Sequence, residues 1–143
     1  MELLKLVALD SEDLAVMSAH LQDAILRAGD VTYLPGERRF ALVARRFDWE
    51  AGPSDPPRRR LTGCHFERVL RVRTRGLDRR DPDRVINLLA VTFEETSAPS
   101  GVATLMFSDG IAVQLDVECV EAQLTDLGPI WEASERPVHE EQA

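Results

Sequence analysis

The sequence predicts an α+β fold in a single domain, with a largely antiparallel sheet and one long N-terminal helix packed on it. The chain has 143 residues, which is the size of one ordinary domain. Over most of its length apolar residues alternate with polar ones, as in strands that bury one face. One early stretch instead repeats apolar residues at helical spacing. We therefore expect residues 1–143 to form one domain with about six or seven strands.

The predicted helix follows a short strand over residues 3–9. Asp10 or Ser11 can cap it, because either side chain can accept a hydrogen bond from a free amide of the first turn. Gly29 provides a C-terminal stop, so the helix is predicted to run through residue 28. Its apolar stripe consists of Leu14, Met17, Leu21, Ala24, Ile25 and Ala28.

Two further strands are predicted over residues 31–34 and 39–47. Pro35 and Gly36 lie between them, in the positions that a type II turn favours. From 51 to 60 the chain has almost no apolar residue and is rich in Gly, Pro, Ser, Asp and Arg. This composition predicts an exposed, mobile loop.

The rest of the chain is predicted to be mostly strand. Residues 64–74 alternate as one strand, and residues 81–88 fit either one helical turn or a strand. The strands 102–107 and 111–119 are predicted to form a hairpin around Ser108–Gly110, with the odd residues of the second strand facing the core.

The C-terminal part has the weakest pattern. Residues 121–128 are predicted as a short helix or an irregular segment, and a polar tail begins at about residue 133. By analogy with pleckstrin-like domains, the sheet could roll into a partly closed barrel, although a fold would not establish a function.

Neither a membrane span nor a secretory signal is predicted. The longest uncharged run, 96–108, has 13 residues, whereas a spanning helix needs about 20 apolar residues. The N-terminus lacks the positive segment and long apolar run of a signal peptide. Cys64 and Cys119 are too few for a disulfide framework, so we expect reduced thiols and a cytoplasmic protein.

The charge is distributed unevenly along the chain. The net charge is −8, which argues against general binding to nucleic acids or membrane surfaces. Residues 36–85, however, contain 14 arginines and eight acidic residues. The net charge of the chain therefore does not exclude a local anion-binding site in this basic middle segment.

Three arginines of this segment form a stripe. Arg71, Arg73 and Arg75 share one face of a predicted strand, at a spacing of about 7 Å, and could contact anions. We expect acidic residues of neighbouring strands, such as Asp116 or Glu118, to pair with most of the stripe. We therefore expect no binding to DNA or RNA.

No catalytic, cofactor-binding or metal-binding residue is predicted. The five soft metal ligands lack the short-range spacing of metal sites, and Cys64 and His65 should point to opposite faces of a strand. No nucleophile or phosphate-binding motif is present. The five ligands are His20, Cys64, His65, Cys119 and His139.

The most unusual local cluster is Phe47, Asp48 and Trp49, where a strand gives way to the proline-rich loop. One interpretation is an aromatic contact surface, because Trp is common at interaction hot spots. The favoured interpretation is a Trp that closes one end of the core. Trp131, after Gly128 and Pro129, is expected to pack on the sheet in the same way.

Several segments together resemble a family of uncharacterised alphaproteobacterial proteins that is catalogued as a domain of unknown function. The resemblance implies a bacterial cytoplasmic protein of one domain, and it assigns no site. The segments are Leu4–Asp10, Leu21–Ala24, Arg46–Glu50, Phe66–Val69, Val117–Cys119 and Leu127–Trp131.

Three functions remain open from the sequence. The first is a non-enzymatic binding or accessory module that contacts a protein partner through its surface, at the Phe47–Trp49 cluster or the arginine stripe. The second is a small-ligand-binding protein or an enzyme whose pocket is built from residues scattered in sequence. The third is anion or nucleic-acid binding through the basic middle segment. A folded structure discriminates among them by the shape and chemistry of its concavities.

Overall fold

The described residues form ten strands and one helix, with 3₁₀ turns at Ala28–Asp30 and Ser108–Gly110. A computed structural model describes residues 3–50, 52 and 54–132, with backbone alone from residue 129 onward. In chain order the elements are β1 (Lys5–Ala8), α1 (Ser11–Leu21), β2 (Ala24–Arg27), β3 (Val31–Leu34), β4 (Arg39–Phe47), β5 (Arg58–Phe66), β6 (Val69–Arg75), β7 (Val85–Glu95), β8 (Gly101–Phe107), β9 (Ala112–Val117) and β10 (Ala122–Glu132).

All ten strands of the described chain belong to one antiparallel sheet. Its order is β1-β10-β5-β4-β2-β7-β8-β9-β6, and β3 pairs with the first half of β4. The predicted α+β class and antiparallel sheet are confirmed, with more strands than expected. The partly closed barrel is wrong, because the end strands β1 and β6 pair with β10 and β9 and not with each other, so the sheet is open.

Helix α1 is much shorter than the predicted helix. It begins after Asp10, whose Oδ1 accepts a hydrogen bond from the amide of Asp13 at 2.8 Å. It ends at Leu21, and Asp23 then has a φ of 65°, a left-handed value that interrupts a helix. No helix within the described ranges has the length and apolar character needed to span a membrane. The buried side chains of α1 are Leu14, Met17 and Leu21.

The second half of the predicted helix is strand β2. Ala24 and Leu26 are buried and Arg27 is exposed, which is the alternation of a strand. This strand pairs with β7 along its length and with β4 at Ile25. The prediction of one long helix was wrong because this apolar pattern fits the period of a helix and also that of a strand. Pairing with two neighbouring strands makes the segment a strand.

One face of the sheet carries the core, and α1 packs on that face, mainly against β7. The odd residues of β9 from Val113 to Val117 are buried as predicted, and Cys119 beyond them is half-buried. On β4 the even residues from Phe40 to Arg46 are buried. By this alternation the charged side chain of Arg46 also lies on the core side of the sheet.

The loop predicted over residues 51–60 ends before Arg58, where β5 begins. The side chain of Arg60 is buried, although Arg58–Arg60 were expected to stay exposed. That expectation was wrong because acidic partners, described below, compensate these charges. The single strand predicted over 64–74 is also wrong, since Arg68 at a φ of 57° separates β5 from β6.

The turn between β3 and β4 is not the predicted type II turn. The amide of Glu37 donates to the carbonyl of Leu34 at 3.1 Å, and the amide of Arg38 donates to that of Pro35 at 3.2 Å. The residue with positive φ is Arg38, at 52°, and not Gly36. The two strands are therefore joined by two successive turns, and a left-handed residue leads into β4.

The segment 81–88 is a turn followed by the start of β7 at Val85, so its second half is strand. The predicted hairpin is confirmed as β8 and β9, which pair from Gly101 onward around the 3₁₀ turn Ser108–Gly110. Asp109 and Gly110 both have positive φ in this turn, as tight hairpin connections require.

The segment 121–128 forms most of β10, and the prediction of a helix or an irregular segment was wrong. The register of β10 against β5 shifts between Asp126 and Ile130, around Gly128 at a φ of 109°. Because of this irregularity, apolar and polar residues do not alternate regularly along the sequence of β10. The polar tail predicted from about residue 133 lies outside the described residues.

Candidate functional site

A slot lies between two strand edges that have no partner strand in the described chain. β3 pairs with β4 alone, and β6 pairs with β9 alone, so each strand has one unpaired edge. The two strands border a groove of about 420 Å³, here called the β3–β6 slot. Its lining includes Val31, Thr32, Tyr33, Phe40, Val72, Thr74, Leu77, Asp78 and Arg79.

Hydrogen bonds bound the β3–β6 slot where β3 ends and β6 begins. The hydroxyl of Tyr33 donates to the carbonyl of Val69 at 2.9 Å, and the amide of Val69 donates to the carbonyl of Arg38 at 2.9 Å. At this point a side chain, and not a strand ladder, bridges β3 and β6. The two main chains therefore do not pair here as neighbouring strands would.

The segment 76–84 crosses the opposite end of the slot. The amide of Gly29 donates to the carbonyl of Pro82 at 2.8 Å, and the amide of Ala28 donates to that of Arg84 at 2.9 Å. A Cβ atom at residue 29 would lie 3.0 Å from Cβ of Pro82. Glycine at this position therefore permits the close approach that closes this end.

The slot is lined by apolar and polar side chains, among them the oppositely charged neighbours Asp78 and Arg79. Asp78 accepts hydrogen bonds from the amide of Arg80 at 2.9 Å and from its Nε at 3.3 Å. The exposed side chain of Arg79 has no hydrogen-bond or ion-pair partner within the described ranges. A bound group of negative charge would therefore find a guanidinium available.

The aromatic cluster at the end of β4 lies outside the main hydrophobic cluster of the described residues, so the favoured interpretation, that Trp49 closes one end of the core, stays a prediction. Phe47 is fully buried, and its ring centroid lies 4.7 Å from that of Trp49. The indole Nε1 of Trp49 donates to the carbonyl of Gln22 at 3.3 Å. This contact ties the end of β4 to the residue that follows α1. The side chain of Trp131 lies outside the described residues.

Asp48 is the centre of a buried ionic cluster, which sequence reasoning did not find. Its Oδ2 accepts hydrogen bonds from Nε of Arg58 at 2.7 Å and from Nε of Arg60 at 2.9 Å. Burial alone would raise the pKa of Asp48, but the two guanidinium groups outweigh burial and lower the pKa to about 2. This carboxylate stays ionised and joins the end of β4 to the start of β5.

A second buried pair lies beside the first. Arg46, fully buried, donates from Nε and Nη2 to the two carboxylate oxygens of Asp126 at 2.9 and 2.8 Å. Asp126 also accepts the amide of Leu4 at 2.9 Å, and Glu50 lies 2.9 Å from Nη2 of Arg46. Burial would raise the pKa of Asp126, but these donors lower it. The pair joins β4 to β10. The carboxylates of Asp48 and Asp126 both already accept hydrogen bonds from donors within the protein.

The arginine stripe is only partly paired as predicted. Nη2 of Arg73 lies 2.6 Å from Oδ1 of Asp116, and Nε of Arg75 donates to the carbonyl of Gly110 at 3.3 Å. Glu118 does not pair with the stripe, because it lies 2.7 Å from Nη1 of Arg38. Arg71 has no ion pair within the described ranges.

The predicted surface residues are not brought together. Phe47, Asp48 and Trp49 lie at the end of β4, whereas Arg71, Arg73 and Arg75 lie on the outer side of β6. None of these six side chains lines the β3–β6 slot.

The described residues contain no group of three or more metal-ligating side chains. Cys64 and Cys119 are both free thiols, and Cys64 is buried against the sulfur of Met17. Burial raises the pKa of Cys64 to about 12, so the thiol is unreactive near neutral pH. His65 is partly exposed on the opposite side of β5, as predicted, and His139 lies outside the described residues.

Strand alternation could have found two of the missed residues. Arg46 continues the inward parity of Phe40, Leu42 and Ala44, and Asp126 continues that of Ala122 and Leu124. A charged residue on a buried parity indicates a paired buried charge. The slot residues had no comparable signal, because they come together only through the order of the strands.

These features define a small α+β domain with an open antiparallel sheet and a groove between two strand edges. The chain belongs to the family described as "Protein of unknown function (DUF2948)", whose model matches residues 4–139. The resemblance to a domain of unknown function is therefore confirmed. Comparison with curated proteins and with solved structures gave no match.

We expect the substitution Asp48→Asn to lower the free energy of unfolding at neutral pH by about 3 kcal/mol, because it leaves Arg58 and Arg60 without their anion. The ordinary pKa of this carboxyl is 3.8 and the folded value is about 2. The wild-type carboxylate therefore stabilises the fold above about pH 4 and loses that contribution as the pH falls to about 2. The free energies of unfolding of both proteins are measured by urea unfolding from pH 7 to pH 2. The difference between them should become smaller as the pH falls from about 4 to about 2. A difference independent of pH would contradict the role of Asp48.

We expect no binding to DNA or RNA at physiological salt, because Arg73 and Arg75 are engaged within the chain and the net charge is −8. The measurement is fluorescence anisotropy with single- and double-stranded probes across a salt series. The opposite result is micromolar binding that weakens steeply with salt and is lost in the double variant Arg71→Ala/Arg73→Ala.

Proposed function

We propose that this protein is a non-enzymatic cytoplasmic binding module that takes an extended peptide segment of a partner protein into the β3–β6 slot. The observation that carries the proposal is the pair of unpaired strand edges, on β3 and β6, that border the slot. An unpaired edge presents main-chain donors and acceptors to any chain that arrives in extended form.

Strand addition is the binding mode that this geometry favours. Main-chain hydrogen bonds to an exposed edge supply affinity, and pockets for alternate side chains supply specificity. β3 has four residues, which span about 13 Å in extended form. Tyr33, Val72 and Leu77 are half-buried in the slot and provide apolar contacts for the side chains of such a segment. The slot therefore suits a short contact of about four residues.

A small organic ligand is the second candidate, because the slot volume of about 420 Å³ lies within the range of about 300–1,000 Å³ that is typical of ligand pockets. We favour a peptide because the slot is bordered by strand edges, which an extended chain can pair with along its length. A small ligand would leave most of these main-chain groups to water.

The test is selection from two libraries of random seven-residue peptides, one displayed with free C-termini and one inserted in a loop, against the purified full chain. The affinity of each selected peptide is then measured by fluorescence anisotropy. Thr74 is exposed and lines the slot, so the substitution Thr74→Glu places a charge there without disturbing the core. We expect this variant to bind at least about tenfold more weakly, since the longer side chain fills part of the slot and its carboxylate must be desolvated when a peptide binds.

The matched control is Leu70→Glu, which puts the same charge on the same strand at an exposed residue outside the slot. We expect this control to bind as the wild type does. If both variants weakened peptide binding equally, or if neither variant weakened it, the peptides would bind outside the slot. Failure of both libraries to yield a binder would rule out the peptide function.

A further inference from the structure

The wall of the slot formed by residues 68–84 carries seven arginines and three aspartates. Five of these arginines donate to partners within the chain: Arg68 to Glu121, Arg73 to Asp116, Arg75 to the carbonyl of Gly110, Arg80 to Asp78 and Arg84 to Asp109. Arg71 and Arg79 have no such partner within the described ranges. Of these two, Arg79 alone lines the slot. Asp78 lines the slot too, but its carboxylate already accepts hydrogen bonds from Arg80, so Arg79 is the charged side chain of the slot without a partner in the described chain.

This guanidinium belongs to the segment that closes one end of the slot. Arg79 lies in residues 76–84, which are fixed across that end by the hydrogen bonds from Ala28 and Gly29. An extended chain lying in the slot cannot continue straight through this segment. Its main chain must stop or turn away where Arg79 is available.

We propose, on the basis of the peptide-binding function above, that the occupant is the C-terminus of a partner protein, with its α-carboxylate bound by Arg79. A terminal carboxylate fits the two features of this end of the slot. The bound chain ends where residues 76–84 cross the slot, and its negative charge complements the unpaired arginine. Arginine binds carboxylates through two parallel hydrogen bonds, which fixes the position of the chain end.

The same placement sets the direction of the bound chain. β3 starts and β6 finishes at the end crossed by residues 76–84, and the hydrogen bond from Tyr33 to Val69 lies at the other end. A segment whose C-terminus lies at the end near residues 76–84 therefore runs antiparallel to β3 and parallel to β6. Antiparallel pairing with the free edge of β3 would continue the antiparallel sheet.

The experiment uses a peptide selected with a free C-terminus, prepared in three forms: the free acid, the C-terminal amide and a version extended by two glycines. Binding of each form to the full chain is measured by fluorescence anisotropy. We expect the amide and the extended peptide to bind at least about tenfold more weakly than the free acid. In the variant Arg79→Gln the free acid should lose this advantage.

Arg71→Gln is the matched control, since Arg71 is an exposed arginine of the same wall that does not line the slot. It should leave the preference for the free acid unchanged. Equal affinity of the three forms, with binding still sensitive to Thr74→Glu, would overturn the C-terminal proposal while the peptide function stands. A preference for the free acid that Arg79→Gln does not reduce would overturn the role of Arg79. Binders from the loop-inserted library alone would overturn the C-terminal proposal while the peptide function stands, and failure of both libraries would overturn both proposals.

Discussion

The departure of β6 from β5 is the constraint on which the β3–β6 slot depends. Arg68 adopts a φ of 57°, and its carbonyl accepts the amide of Glu118 at 3.1 Å, which aligns the following strand with β9. The amide of Glu67 donates to the carbonyl of Glu121 at 2.8 Å, and Nε of Arg68 donates to the carboxylate of the same residue at 3.0 Å. The chain therefore turns at this point onto β9, and β6 keeps one unpaired edge beside β3.

The ionic clusters stabilise a different part of the sheet. Asp48 joins the end of β4 to Arg58 and Arg60 of β5, and Arg46 joins β4 to Asp126 of β10. Removing one partner of a buried pair is costly because the other charge remains buried, so these contacts favour one register among the three strands. They hold β4 in place, and β4 in turn carries β3, which forms one wall of the slot.

Most strands could be predicted from the sequence, and the slot could not. The strands over 31–34 and 39–47 and the hairpin around Ser108–Gly110 have clear alternation and turn residues, and the structure confirms them. The helix was extended past Leu21 because the pattern there fits both periods, and β10 was missed because its register shifts near Gly128. The slot depends on which strands pair across the sheet, and a residue pattern along one strand does not contain that information.

Amide hydrogen exchange of the free protein, measured by nuclear magnetic resonance, tests most directly whether β6 has an open edge. Between Leu70 and Arg75 we predict alternating protection of the amides. Amides directed at β9 should exchange slowly, and those directed at the slot should exchange at rates close to those of exposed loops. Uniformly slow exchange along β6 would mean that its second edge is already paired, which would contradict the binding function proposed for the β3–β6 slot.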